Sequence, residues 1–322
     1  MQHDVVIVGL GKIGMEYDLD HSKDFILSHA RAFDLHKGFN IVAAVDTSSK
    51  KCSVFKSKYG EKLKTYIDLS IALKNVKASI FVIATPTDSH YKIINNILDN
   101  SDPLVILCEK PISHNMDQAK KIIAKCKKKK CKLYVNYFRR SDIGVGEIIK
   151  KINDKSIQDP VRGVVWYSKG LYNSASHFIN ILQFIFGSIQ TIQVLNKGRL
   201  WNNKDPEPDF QLTFNKLKID FIALKEENYF HNSMEIMMTN GRLSYQRGGA
   251  YISWQNVTKN NIFSEYNSLN DNRNIFQSDF SKIQWHVVEQ IYKGINGELV
   301  TICSGDDALK TLDICNKIKK LL

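Results

Sequence analysis

The 322-residue sequence predicts an α/β protein in two parts, a doubly wound parallel sheet followed by an α+β domain with a large open-faced mixed or antiparallel sheet. Three observations predict it. Residues 1 to about 135 alternate short β-branched runs with helically spaced apolar residues, the pattern of parallel strands joined by crossover helices. The first of those runs ends in a glycine turn. Beyond them, strands follow one another with few helices between, as in a sheet covered on one face only. The length agrees, because at roughly 150 residues per domain two domains are the default.

In the first domain, residues 5–8, 41–45, 79–84, 105–108 and 133–136 read as buried strands, and 28–36, 52–59, 67–74, 89–98 and 115–129 as helices. In the second, a helix over 143–152 precedes a strand at 161–167 and a helix at 174–186. Strands are then expected at 189–195, 210–214, 219–224, 234–239, 241–245 and 251–255, with closing helices at 282–294 and 305–322. The Pro-containing stretch 202–209 and the Asn-rich stretch 256–274 read as loops. The domains are expected to span 1–136 and 137–322, with a C-terminal helix able to pack back on the first.

Composition narrows the function classes. Lys and Arg total 45 against 33 Asp and Glu, a formal charge of +12 that favours anionic ligands. Most of it is dispersed Lys, and the run Lys127–Lys130 reads as a solvated helix end, so no nucleic-acid partner is expected. The longest strongly apolar stretch, 178–186, is broken by Asn180 and Gln183 and falls far short of the ~20 residues that cross a bilayer, so no membrane partner is expected. A strand-like run starting at residue 5 leaves no room for a leader peptide, and a cytoplasmic location is the expectation. Cysteines at 52, 108, 126, 131, 303 and 315 show neither a CxxC nor a Cys/His ligand spacing. That pattern suits a reducing compartment and argues against thiol chemistry and a metal site.

The first strand runs into Gly9-Leu10-Gly11-Lys12-Ile13-Gly14, a GxGxxG in the strand-to-helix setting that gives the motif meaning. Gly9 permits the tight turn, Gly11 the approach of a pyrophosphate to the backbone, and Gly14 close helix-to-strand packing, while the helix N-terminus offers amide donors. This predicts a Rossmann dinucleotide site. Asp46 follows the second strand, where a ribose-binding carboxylate is expected, but lies 32 positions beyond Gly14 rather than the usual ~20. A polar insertion over 16–27, containing Asp18, Asp20, His21 and Asp24, accounts for the excess and reads as a solvated loop in preference to a metal site. A carboxylate at the strand end repels a 2′-phosphate, so NAD is favoured over NADP, with Lys50 and Lys51 keeping the second open.

Three further segments complete a set: Ala84-Thr85-Pro86-Thr87-Asp88-Ser89-His90, then Glu109-Lys110-Pro111, then residues 170–187 with Asn173 and His177. With the glycine turn, they resemble the Gfo/Idh/MocA family of sugar and inositol oxidoreductases over nearly the whole chain. Residues 135–140 are similar to the strand by which that family enters its second domain. The resemblance implies that Thr85, Pro86, His90, Glu109 and Lys110 join the glycine turn and Asp46 around NAD, and that Lys110, preceding a Pro111 often cis in the family, sits beside the nicotinamide and the reacting hydroxyl. A Lys before Pro at the end of a parallel strand points into the ligand crevice, although a surface Lys in a rigid turn reads the same way. His177 shares a helix face with Asn173 four residues earlier, and an imidazole of pKa ~6.5 can accept a hydroxyl proton; a core or capping His is the plainer reading.

Tyr137, Arg139, Arg140, Trp166, Tyr172, Asn173 and His177 are the candidate substrate residues, either Arg being able to pair an anion bidentately. The sequence departs from the family pattern where Asn173, and also Asn180, replace an Asp. Asn173 can orient a hydroxyl but cannot share a proton. The leading expectation is an NAD-dependent dehydrogenase of a sugar, cyclitol or nucleotide-linked sugar, built as a homodimer or homotetramer through the uncovered sheet face. A non-catalytic NAD- and sugar-binding regulator and an NAD-assisted glycoside hydrolase are the alternatives.

Overall fold

The computed structural model describes residues 2–20, 24–215 and 217–322. Contacts divide the chain into two compact units, Met1–Ser141 with Ser281–Lys310, and Asp142–Phe280 with Thr311–Leu322.

The first unit is built on six parallel strands, β1 (His3–Val8), β2 (Phe39–Val45), β3 (Lys64–Tyr66), β4 (Ile80–Ile83), β5 (Val105–Cys108) and β6 (Lys132–Val135), in the order β3-β2-β1-β4-β5-β6. Crossovers are made by α1 (His29–Leu35), α2 (Ser49–Tyr59), α3 (Leu69–Asn75), α4 (Thr87–Asn100) and α5 (Met116–Lys128). Central strands β4 and β5 are buried along their whole length, which is why they read as unbroken apolar runs. Strand β3 gave no such signal: it is a three-residue edge strand whose residues are half-buried or exposed. The order reverses between β1 and β4, and ligand crevices form at the carboxyl ends of strands at such a switch point.

The insertion after the glycine turn is spliced into a helix. Met15 N–H donates to Gly11 O at 2.8 Å, one ordinary α-helical step. His29 and Ala30 then donate to Ile13 O and Gly14 O, each at 2.9 Å, although sixteen rather than four residues separate donor from acceptor. Twelve residues are therefore looped out of one continuous ladder, and removing them returns the separation of Gly14 and Asp46 to about 20, the usual spacing. The loop is not simply solvated, as the sequence suggests. Asp18 is buried, and its Oδ2 accepts Leu27 N–H at 2.8 Å, Ser28 N–H at 2.6 Å and Ser28 Oγ–H at 2.7 Å. Asp24 pairs with Lys282 at 2.7 Å, and His21 lies outside the described residues.

The second unit opens with α6 (Ile143–Asn153), β7 (Pro160–Tyr167) and α7 (Ser176–Phe186), followed by β8 (Thr191–Trp201), β9 (Asp205–Phe214), β10 (Leu217–Ala223), β11 (Ser233–Met238), β12 (Gly241–Gln246), β13 (Tyr251–Lys259), β14 (Asn267–Leu269) and β15 (Asn274–Phe276). These strands form one sheet in the order β14-β13-β12-β11-β7-β10-β9-β8, with β15 on β13; β7 and β10 are parallel and the other pairs antiparallel. Val165, Tyr167, Phe210, Phe221 and Ile236 bury one face of the sheet in the core that also takes Val145, Ile148, Phe178, Ile179 and Leu182 from α6 and α7. Phe210 and Phe221, opposite one another on β9 and β10, stack at 4.4 Å.

Two stretches that read as loops are partly strand. Residues 205–209 begin β9 despite Pro206 and Pro208, because this part of β9 pairs only with β8, while β10 joins from Phe210 onward. A strand without a neighbour on one side can spare the missing N–H groups. Within 256–274, β13 continues to Lys259 and pairs with β14. Helix α8 (Ile283–Ile295) belongs to the first unit, packing Val287, Val288 and Ile291 with Phe33 and Phe39; the division between units falls within α9 (Gly305–Lys320). No helix among the described residues is long and apolar enough to cross a membrane.

Candidate active site

At the end of β1 the backbone leaves no room for side chains. Gly9 has φ +98°, and a Cβ there meets Ala84 O at 2.6 Å; one on Gly14 meets Gly9 O at 2.1 Å. Gly11 differs, since a Cβ there meets nothing nearer than Lys51 Nζ at 3.8 Å, and its bare Cα lines an open cavity. The N–H groups of Gly11, Lys12 and Ile13 donate to no acceptor among the described residues, which leaves them for an anion at the start of the helical turn.

Asp46 closes the other side. Its Oδ2 accepts Leu10 N–H at 2.8 Å and its Oδ1 accepts Ser48 N–H at 2.9 Å, so the carboxylate is locked to the glycine turn while each oxygen keeps a lone pair. Gly9, Gly11, Asp46, Lys51, Ile67, Thr85, Pro86 and Ile93 line a cavity of about 740 Å³ in the first unit. Free amides, a fixed carboxylate able to take ribose hydroxyls, and apolar walls at Ile67 and Ile93 fit a dinucleotide. Lys51 faces Glu16 at 3.2 Å.

His90, expected among the cofactor residues, is completely buried and holds two loops together instead of lining the cavity. Its Nε2 lies 2.9 Å from Thr85 O, and its Nδ1 lies 3.3 Å from Cys108 Sγ and 3.1 Å from Pro111 O. Burial lowers its pKa, so the ring is neutral and donates from one nitrogen at a time, either Nε2–H to Thr85 O or Nδ1–H to Pro111 O.

Lys110 follows β5, and the Lys110–Pro111 peptide is cis. Glu109 beside it heads a buried network that the sequence did not disclose: His29 Nε2 lies 2.8 Å from Glu109 Oε1, Asn136 Nδ2–H donates to the same oxygen at 2.6 Å, and Asn136 reaches Gln284 at 3.3 Å. Burial alone raises a carboxyl pKa. Here the His29 hydrogen bond and charge, the Asn136 amide and the Lys110 ammonium outweigh it, and Glu109 is held below its ordinary value. Tyr137, Arg139 and Arg140 are all buried around the turn at 138–141. Arg140 Nε–H donates to Thr301 O at 2.9 Å and its guanidinium pairs with Asp307 at 3.1 Å; Arg139 lies over the Phe138 ring at 4.9 Å.

In the second unit, β7 runs through Lys169 and Gly170, both at positive φ, into a π turn over Leu171–Ala175 and then α7. The sequence signalled an α-helix here. The π turn adds a residue to the first turn, an irregularity common at functional sites. Four hydrogen bonds to two carboxylates set the entry: Glu207 Oε1 accepts the Lys169 and Gly170 N–H groups at 2.8 and 3.1 Å, Asp205 Oδ1 accepts Tyr172 N–H at 3.0 Å, and Asp205 Oδ2 accepts Asn173 N–H at 2.9 Å. Gly170 has φ +85° and ψ 159°, a backbone region essentially confined to glycine, and a Cβ there also meets Asp205 Oδ2 at 2.2 Å. Arg199 Nε–H donates to Glu207 Oε2 at 2.7 Å. Asp205 and Glu207 lay in the stretch read as a loop. Their signal was the spacing of two that places Asp205, Glu207 and Asp209 on one strand face.

His177 is 4 % exposed in the first turn of α7. Tyr172 O–H donates to Asn316 Oδ1 at 2.7 Å, and burial holds its phenol above the usual range. Asn180 is packed rather than presented, donating to Thr311 Oγ1 at 2.9 Å. Trp166 alternates with Val165 and Tyr167, whose side chains share a core with α7, and so lies on the opposite face of the sheet from His177. This corrects its expected place in a substrate wall.

Comparisons with known proteins agree with this geometry. Residues 3–137 match the model of the oxidoreductase family described as having an NAD-binding Rossmann fold. An inositol 2-dehydrogenase of Rhizobium meliloti is 27 % identical over 173 residues, 49 % of this chain, and the match spans about half, 51 %, of that relative's length. The structure of the oxidoreductase yvaA of Bacillus subtilis superposes with a TM-score of 0.79 at 14 % identity, covering 99 % of this chain and 97 % of that one. The WlbA dehydrogenase of Bordetella pertussis, solved with NADH and UDP-GlcNAcA, gives 0.74 at 14 % identity over 99 % and 96 %. At those identities the likeness is one of fold. Over residues 3–137 the chain carries the NAD-binding Rossmann fold of the Gfo/Idh/MocA oxidoreductases and is similar to that family.

Proposed function

We propose that the protein is an NAD-dependent oxidoreductase acting at a CH–OH carbon of a sugar, cyclitol or nucleotide-linked sugar. The observation that carries this reading is the cradle of Gly9, Gly11, Gly14 and Asp46, with Lys110 at the end of β5 in the same sheet, beyond β4. When bound, the nicotinamide supplies hydride transfer. Lys110 orients the reacting hydroxyl through its ammonium, and His177 accepts the hydroxyl proton. NAD is preferred to NADP, because Asp46 places a negative charge at the ribose and Lys51, the nearby cation, faces Glu16. Inositol and UDP-GlcNAcA in the names of similar proteins support a polyhydroxylated ring as substrate class. The open sheet face, with Val164, Trp166, Ile222 and Met237 among its residues, is where a second copy of the chain docks, and the enzyme works in the cytoplasm.

The test begins with thermal stabilisation by inositols, sugar acids and UDP-sugars in the presence of NAD, followed by NADH absorbance with each ligand found. Net NADH formation supports the dehydrogenase. Turnover without net NADH points to the hydrolase, and binding without turnover to the regulator. Within the dehydrogenase reading, His177→Ala lowers kcat by roughly 10² to 10⁴ and leaves NAD affinity nearly intact.

A further inference from the structure

Cys126 and Cys131 look unrelated in the sequence, five positions apart at the end of a lysine-rich helix. The way α5 ends brings them together. Lys130 N–H donates to Lys127 O at 3.0 Å and Cys131 N–H donates to Cys126 O at 2.9 Å, while Lys130 takes φ +55°. This pair of reversed bonds around one left-handed residue is the Schellman helix ending, in which the side chains three residues before the cap and two after it come into contact. Those two positions are usually apolar. Here both are cysteine.

From this geometry we propose that Cys126 and Cys131 form a reversible intrachain disulfide, a modification site independent of the dinucleotide site. The bond requires Cα atoms about 4.4–6.8 Å apart, a separation that a backbone closed by a 6→1 hydrogen bond provides. The thiols are not equivalent: the hydrogen bond between them holds Cys126 below the ordinary thiol range and Cys131 above it, which makes Cys126 the attacking sulfur.

The co-reactant is a low-molecular-weight disulfide. The Cys126 thiolate attacks one of its sulfurs, the external S–S bond breaks, and one thiol leaves. The Cys131 sulfur, giving up its proton, then attacks Cys126 Sγ and expels the second thiol. Two protein thiols are oxidised, one external disulfide is reduced to two thiols, and both protons end on the products. Cys126 and Cys131 are only 1 % and 5 % exposed, so attack needs the last turn of α5 to open. That turn is favourable for it, being a helix end of exposed lysines at Lys127–Lys130. Of these lysines, Lys127 pairs with Asp306 and Lys129 with Asp102, and the net positive charge left at the helix end attracts an anionic disulfide such as glutathione disulfide.

The experiment uses the full chain and no enzyme assay. Protein is equilibrated with glutathione disulfide and glutathione at graded ratios, quenched with acid, unfolded, alkylated with N-ethylmaleimide and weighed. The expected oxidised species carries four rather than six alkyl groups, no glutathione, and a peptide linking residues 126 and 131, all reversed by dithiothreitol. In Cys131→Ser the reaction stops with one glutathione on Cys126, and Cys126→Ser takes up none at the same ratios. Six alkyl groups at every ratio, a stable glutathione adduct on the wild-type chain, or linkage to any other cysteine overturns the proposal.

Discussion

The backbone N–H of His29 donates to Ile13 O at 2.9 Å across sixteen residues of chain, so the helix that starts at the glycine turn is one hydrogen-bonded ladder with a loop thrown out of it. The same residue carries its side chain to Glu109, 2.8 Å away. One residue thus fixes both the turn that meets the dinucleotide and the segment leading to Lys110.

Asp18 fastens that loop, and its loss should be felt in stability rather than in binding. Asp18→Ala strands two buried amides and a hydroxyl, each worth about 1–3 kcal/mol when left unpaired, with water recovering part of the loss. Unfolding of the first unit in urea should shift by about 2–3 kcal/mol. NAD affinity, measured by fluorescence titration, should change little, because the ladder to His29 still holds the turn. A large loss of NAD affinity at unchanged stability contradicts this division of labour.

Gly11 and Gly14 separate binding from folding in the opposite way. Gly14→Ala puts a methyl 2.1 Å from Gly9 O and should destabilise by about 1–3 kcal/mol or more. Gly11→Ala meets only Lys51 Nζ at 3.8 Å, so its melting temperature should be close to the parent's. Its methyl nevertheless occupies the surface that a pyrophosphate must approach, and NAD binding should weaken by at least about tenfold. Equal losses of stability in the two variants would remove the distinction.

The sequence made most of this legible because its strong signals are local. An apolar run such as Ile80–Ile83 and a glycine turn at its strand end are written in consecutive residues. The 32-residue gap to Asp46 was resolved by recognising a polar insertion of the length the ladder later shows. What stayed hidden depends on partners distant in sequence. His29, Asn136 and Gln284 come from three elements to serve Glu109, and no periodicity announces that. Asp205 and Glu207 were masked by their prolines, whose missing donors are harmless only because that end of β9 lacks a second neighbour. Trp166 reads as a candidate substrate residue from its aromatic type alone, whereas the strand alternation of β7 sets it opposite Val165 and Tyr167.

Glu109 should leave a mark on the acid limb of stability. Its folded-state pKa lies below its unfolded value, so it contributes stability that is fully present above the unfolded pKa of about 4.3 and is lost as pH falls through the folded value. Glu109→Gln keeps the shape and removes the charge. The wild type should exceed it by about 2 kcal/mol at pH 7, a typical worth for hydrogen bonds to a charged group, and the difference should shrink once pH drops below about 4. Chemical denaturation of both proteins from pH 7 to pH 3 reads this directly, and a difference that grows on acidification refutes the sign.

Asn173 stands where related dehydrogenases carry Asp, and the structure offers a local reason: its own N–H donates to Asp205 Oδ2 at 2.9 Å, so a carboxylate already faces this residue. Asn173→Asp sets a second negative charge beside the first. Like charges raise the pKa of the new carboxyl above its unfolded value near 3.9, so it destabilises at neutral pH, less so as pH falls through the folded value, and not at all well below about 3.9. The expected cost at pH 7 is about 1 kcal/mol, weakened by salt. Adding Asp205→Asn should relieve it, giving a coupling of the same size in a double-mutant cycle, whereas Asp205→Asn alone should destabilise by about 1 kcal/mol through the loss of its charged cap on the π turn. In the proposed mechanism, where His177 is the base, the new charge should also raise the imidazole pKa and move the acidic limb of the kcat profile upward. Additive stabilities in the cycle would show that the two positions do not sense one another, and an unmoved pH profile would show that position 173 does not govern the base.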